Sequence, residues 1–228
     1  MNWDSGRVKM GTMDLLLAER LLLISLDPRT GKTTSRPSQA LQLALAGALV
    51  MDLLLLERAR LENGRVVALG PTGDPLLDQT LNRIVTDRRP RTLKYWIRAL
   101  GDPRRQLLGR LVERSVLLEQ PHRVLGLFPS PRYRLVQPGA LEETVGPLRA
   151  ALTGEVPDLT PGVAALAALV SVTGLVGRAV PPESQPDARR RAKAIAQGDL
   201  GGQAVSAVLR EAQAAVSASV AASAAINS

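Results

Sequence analysis

Long apolar runs separated by short polar breaks organise this chain. Met13–Leu26 is almost continuously apolar and follows Thr12, a candidate N-cap. Asp27-Pro28-Arg29-Thr30-Gly31 has turn chemistry. Ser38 then caps a second apolar helix running to about Leu56, in which Ala44, Ala46, Gly47 and Ala48 allow a neighbouring helix to approach closely. The pattern next switches to short strands. Arg58–Leu61 and Arg65–Leu69 flank Glu62-Asn63-Gly64, and Asn-Gly is a strong hairpin turn. Helices are predicted over about Pro75–Thr86, Thr92–Leu100 and Arg104–Leu118. A second hairpin is predicted around Leu117–Val136, where Pro121, Gly126, Pro129 and Pro131 interrupt short apolar pieces. The remaining helices are about Ala140–Leu152, Pro161–Val180, Pro186–Gln197 and Gly202–Ile226, the last fraying after Val216.

The stretch Gly70–Asp78, "GPTGDPLLD", looks like a reactive loop and reads as a helix start. Asp74 accepts first-turn N–H groups as N-cap. Pro75 fits the first helical position, where its missing N–H costs nothing. Leu77, Leu81 and Ile84 then face the core, and Asp78 sits near the positive helix end. Two runs, Leu43–Met51 and Val163–Gly177, are uncharged, but a membrane span needs about 20 apolar residues. Both read as buried core helices.

Composition sharpens this picture. Of 228 residues, 45% are hydrophobic but only 2% aromatic, so the core is built from Leu, Val and Ala, which favours helices. No Cys is present, which excludes disulfides and thiolate metal sites, and the single His122 excludes a His-pair metal site. The absent Cys and lone His fit an intracellular protein best, and the polar start "MNWDSGRVKMGTMD" shows no apolar run of a secretory signal. The net charge is +8, and 25 of the 29 basic residues are Arg. Residues 83–134 hold thirteen Lys/Arg against four Asp/Glu, a local excess of nine. Such a face attracts polyanions.

Candidate chemistry is thin elsewhere. "TGKTTS" (Thr30–Ser35) resembles the tail of a Walker A loop, but Leu26 stands where that motif needs Gly, and a helical run precedes it instead of a strand. The acid pairs Asp74/Asp78 and Glu142/Glu143 have no nearby His or Lys to form an acid–base couple, and His122 lies in a Pro-flanked turn and reads as exposed. In Thr92–Leu100, Leu93, Trp96, Ile97 and Leu100 form a core-facing stripe. Arg91, Lys94 and Arg98 lie opposite it, and Arg104, Arg105, Arg110 and Arg114 extend the charge; an ordinary solvated face is the competing reading. Only Tyr95 and Tyr133 are candidate base-stacking aromatics, which disfavours a single-strand reader and leaves nucleic-acid binding as the third and least favoured reading. In the second hairpin, Arg123, Arg132 and Arg134 flank Leu125, Leu127 and Phe128. That combination suits shallow insertion into an anionic interface, unless Leu125 and Phe128 pack back on the body.

The order of "MDLLLAERLLLISLDPRTGK", "LALAGALVMDLLLLERARLENGRVVAL", "PTGDPLLDQTLNRI", "LKYWIRAL" and "LVERSVLLEQPHRVLGLFP" resembles the Golgi phosphoprotein 3 family, in its bacterial branch, over about residues 12–200. The resemblance implies a helical globule around a helical core with a protruding hairpin and no catalytic activity. Its eukaryotic members bind phosphatidylinositol 4-phosphate and act as adaptors for glycosyltransferase tails. The family's lipid site uses a Trp and an Arg early in the second core helix, where this chain has Pro37 and Ala46, and two Arg early in the "LVE" helix, where it has Gly101 and Arg104. Arg105 and Arg36 are candidates to compensate. The family's inserting hairpin corresponds to about Glu119–Tyr133, with its apolar tip at Leu125, Leu127 and Phe128.

The expectation is therefore a mainly α protein: a polar segment over residues 1–11, then one domain over 12–226 with a buried helical core and one or two short hairpins. It binds anionic lipid headgroups through Arg104, Arg105, Arg36 and Arg98, inserts the tip Leu125, Leu127 and Phe128, and uses no cofactor or metal. It is cytoplasmic and peripherally membrane-associated. The alternative is a protein-interaction adaptor, or a homo-oligomer formed through the hairpin, without specific lipid binding.

Overall fold

The computed structural model describes residues 15–27, 30–31, 39–124, 128–129, 131–197 and 207–226. The two longest apolar runs become the centre. Helix α1 spans Leu17–Ser25 and α2 spans Gln39–Leu55. Helix α2 is buried on nearly every side from Leu41 to Leu53, as expected of a helix that is hydrophobic all round. Around it pack α1, α4 (Leu93–Ala99), α7 (Pro161–Val172) and α9 (Ala207–Ile226). Helices α3 (Pro75–Thr86), α5 (Arg104–Glu113), α6 (Pro138–Thr153) and α8 (Gln185–Gln197) complete the shell.

Both predicted hairpins form. Strands β1 (Ala59–Glu62) and β2 (Arg65–Ala68) pair antiparallel, with Glu62 opposite Arg65. Asn63 and Gly64 both take positive φ, which is what the two-residue turn requires. In the second hairpin, β3 (Leu117–Gln120) pairs with β6 (Arg132–Leu135). Beyond them, β4 (Arg123–Val124) pairs with β5 (Phe128–Pro129). The backbone of Gly31 docks on this hairpin: its carbonyl accepts the Tyr133 N–H at 2.8 Å. A Cβ on Gly31 would lie 2.7 Å from the Tyr133 carbonyl oxygen, so no side chain fits there. The Walker-like stretch thus follows helix α1 and is anchored to a hairpin; its residues 32–35 lie outside the described residues.

Helix α1 starts at Leu17 with Leu16 as its N-cap, not after Thr12, which lies outside the described residues, and the C-terminal ends of three further helices move. The helix expected to reach Leu118 stops at Glu113, because Ser115 takes a positive φ and the Val116 N–H returns to the Leu111 carbonyl at 2.9 Å. The helix expected to reach Val180 stops at Val172, where Gly174 turns the chain into a short 3₁₀ segment over Val176–Arg178. The last helix continues past Val216 to Ile226. Its Ser219 and Ser223 are buried and bond the Ala215 and Val220 carbonyls, so their hydroxyls do not need water.

Buried acids hold the centre together. The N-cap of α1, Leu16, has no polar side chain, and of the backbone N–H groups there Glu19 in the first turn accepts only that of Leu16. Asp52, in α2, supplies the cap: its carboxylate accepts the Leu17 N–H at 2.8 Å and the Ala18 N–H at 3.3 Å. Burial raises the Asp52 carboxyl from 3.8 to about 7, against the pull of those two N–H groups. A carboxyl with a raised folded pKa binds its proton more tightly when folded. Its effect on stability is therefore most favourable below the unfolded value, declines as pH rises from about 3.8 to about 7, and levels off above. We expect denaturant stability to fall with pH across that window by at most about 1.4 kcal/mol per unit, and the slope to flatten in Asp52→Asn. An unchanged slope in the variant would show that Asp52 does not titrate there.

Candidate functional site

The helix start at Gly70–Asp78 is built as the sequence predicts. Asp74 accepts the Leu76 and Leu77 N–H groups at 2.9 and 3.1 Å. Asp78 accepts the Thr72 N–H at 2.6 Å, the Thr72 hydroxyl at 2.7 Å and the Gly73 N–H at 3.2 Å, and these bonds hold its carboxyl below the usual range. Both acids are committed to structure. Arg110 takes up Asp74 as well, donating to both carboxylate oxygens at 3.0 and 2.7 Å, and reaches the buried Glu19 at 3.1 Å. Arg114 donates to the other Glu19 oxygen at 3.2 Å.

This bonding sorts twelve of the thirteen basic residues of 83–134; for the other, Arg123, the structure describes only the backbone. Arg83 donates to the Ala99 and Leu100 carbonyls at 2.5 and 3.2 Å and so caps the end of α4. Arg91 binds Asp87 at 3.0 Å. Arg104 bonds Asp102; burial works to raise that carboxyl, but the Arg104 bonds overcome it and hold it below its ordinary value. Arg132 meets the half-buried His122 ring nitrogen at 3.1 Å, so His122 is not the freely exposed residue expected of its turn. Six others are left without an ion pair to any described residue: Arg88, Arg89, Lys94, Arg98, Arg105 and Arg134, all exposed.

Of the predicted headgroup residues, Arg98 and Arg105 belong to this free set and Arg104 does not. Arg105 rims a groove of about 440 Å³ between α3 and α5, with Pro75, Gln79 and Gln106 on its walls. The Tyr133 hydroxyl is held above its ordinary value by burial and by Glu119 across the strand pair, with the Arg105 charge acting the other way. Arg36, Leu125 and Leu127 lie outside the described residues, as does Pro37. For Phe128 the structure describes only the backbone, paired with Val124. Ala46 is fully buried in α2, so that position contributes nothing to a surface site in this chain.

Sequence reasoning missed the buried acids. Glu19 and Asp52 each interrupt a long apolar run, and an acid in such a place must be buried and therefore partnered. It also left unread the geometry around Tyr95. That ring is 41% exposed, lies edge-on to Trp96 with centroids 5.2 Å apart, and carries the Arg91 guanidinium 4.9 Å from its centroid. The helical stripe of Leu93, Trp96 and Ile97 already excluded Tyr95 from the core, which was the signal available.

Among the described residues, no group of three or more His, Asp or Glu is arranged to hold a metal ion, and no helix is long and apolar enough to cross a membrane. A family model described as Golgi phosphoprotein 3 (GPP34) matches residues 17–212, from the first residue of α1 into α9.

Proposed function

The chain belongs to the Golgi phosphoprotein 3 family, and from that premise we propose that it is a non-enzymatic peripheral protein that docks on anionic membranes. The six exposed basic side chains of residues 83–134 that make neither an ion pair nor a side-chain hydrogen bond to a described residue carry this reading, because charges already bonded have little left to offer a phosphate. Arg98 and Arg105 are the leading headgroup ligands. Arg104 contributes only when its pair with Asp102 opens, and Arg36 is the fourth proposed ligand. The apolar tip at Leu125, Leu127 and Phe128 is the proposed inserting element. The headgroup class is an anionic phospholipid of the phosphatidylinositol 4-phosphate kind, as in the family's lipid-binding adaptors.

Flotation of the full chain with vesicles of phosphatidylcholine alone, or with phosphatidylglycerol or phosphatidylinositol 4-phosphate added, tests this. Binding is expected only with the anionic vesicles and is expected to weaken as salt rises. At about 1 kcal/mol per basic contact, Arg98→Ala/Arg105→Ala lowers the affinity about 30-fold. Equal binding to neutral and anionic vesicles, or no change in the double variant, overturns the reading.

A further inference from the structure

We propose that the exposed face of α4 is part of the bilayer contact of this protein, with Tyr95, steadied by Arg91, as an interfacial anchor among the cations Arg88, Arg89, Lys94 and Arg98. This rests on the lipid-binding reading and names the surface that performs it. Lys94 and Tyr95 recur with Arg98 at helical spacing, Arg91 reaches the same face over the Tyr95 ring, and Arg88 and Arg89 lie in the loop that leads into them. Asp87, the acid in that loop, is occupied by the Arg89 N–H at 3.1 Å and the Arg91 side chain at 3.0 Å.

A helix of seven residues would not persist alone. This one is pinned on every other side. Leu93, Trp96 and Ile97 are buried in the core. Thr92 caps the start by accepting the Tyr95 N–H, and Arg83 caps the end through two carbonyls. The edge of β2 ties the entry, with the Val66 N–H donating to the Arg91 carbonyl at 2.9 Å. The Arg83 cap also places a positive charge at the helix end that would otherwise repel an anion. This face is thus a rigid cationic surface, held in place before any ligand arrives.

The state of Tyr95 points to a bilayer surface as the occupant. Arg91 lies over one side of its ring and Trp96 packs against it at a near-right angle, so the ring is poorly placed to stack a nucleobase. The ring is 41% exposed, carries the Arg91 guanidinium, and shares its helix with the exposed Lys94 and Arg98; an amphipathic ring beside cations is suited to the headgroup level of an anionic membrane.

The test uses the full chain and phosphatidylcholine vesicles with and without phosphatidylglycerol. Tyr95→Ala is expected to weaken anionic-vesicle binding about fivefold, from the partial burial of one aromatic ring. Lys94→Glu/Arg98→Glu is expected to weaken it at least about 30-fold. Both sites are exposed, and unchanged circular dichroism confirms the fold. Trp96 supplies a second readout, because it sits directly behind Tyr95. In a Trp3→Phe variant, lipids brominated near the headgroup are expected to quench its fluorescence more than lipids brominated deep in the chains. If wild type does not bind anionic vesicles, the lipid reading itself fails. If wild type binds but Tyr95→Ala binds equally well and Trp96 is not quenched, the α4 proposal alone falls. If the α4 charge reversal abolishes binding of a DNA duplex and leaves vesicle binding intact, the face is a nucleic-acid surface and the proposal is likewise overturned.

Discussion

Glu19→Ala should cost about 3–5 kcal/mol of folding stability, the range for breaking a buried ion pair from one side. Glu19 is fully buried and is used three times over. It accepts the Leu16 N–H at 2.9 Å, Arg110 at 3.1 Å and Arg114 at 3.2 Å. Removing it leaves the α1 start without one partner and two half-buried guanidiniums short of one. Arg110 keeps Asp74, which puts the loss toward the lower end of that range. Domains of this size have about 5–15 kcal/mol in total, so the variant should unfold at clearly lower urea. Glu19→Gln should lose less, because its amide oxygen can still accept. A double-mutant cycle of Glu19→Ala with Arg110→Ala should show strong coupling. A Glu19→Ala loss below about 1 kcal/mol would mean the pair behaves like an exposed one. The same network seats α5 on α1, so the variant should also weaken any lipid contact that depends on Arg105.

Gly47→Ala should destabilise the protein, although alanine is the better helix former by up to about 1 kcal/mol. Gly47 lies in α2 against α9, and a Cβ there would stand 2.3 Å from Val216 Cγ2. Val216 is itself buried and β-branched, so its side chain has few rotamers to retreat into. The two helices must separate or the side chain must strain, at a cost of about 1–3 kcal/mol. Gly47→Ala/Val216→Ala should be more stable than the sum of the two single losses, because the small residue on α9 makes room for the new methyl. If Gly47→Ala alone raises the denaturation midpoint, the helices are not in close contact there. The family match ends at residue 212, four residues before Val216, so this contact uses a part of α9 beyond the matched region.

Most of the fold was legible because its signals are local. The Leu93, Trp96, Ile97 stripe oriented α4, Asn63-Gly64 marked the first hairpin, and Asp74-Pro75 marked the start of α3 to the residue. The helix ends at Glu113 and Val172 were not legible, since each depends on a backbone turn that several residues tolerate. The candidate site was legible only as a total. Counting charge along residues 83–134 found the basic face and could not tell bonded arginines from free ones.

Sequence alone determined a helical, Leu- and Ala-rich protein with two hairpins and a basic middle, because periodicity, capping and turn chemistry act between residues a few positions apart. Tertiary structure decided which charges remain available. Arg110 and Arg114 meet Glu19 across 91 and 95 positions of chain, while Lys94 and Arg98 meet no described acid. Ion pairing depends on distance in space and on burial, and neither is written in the spacing of residues along the chain.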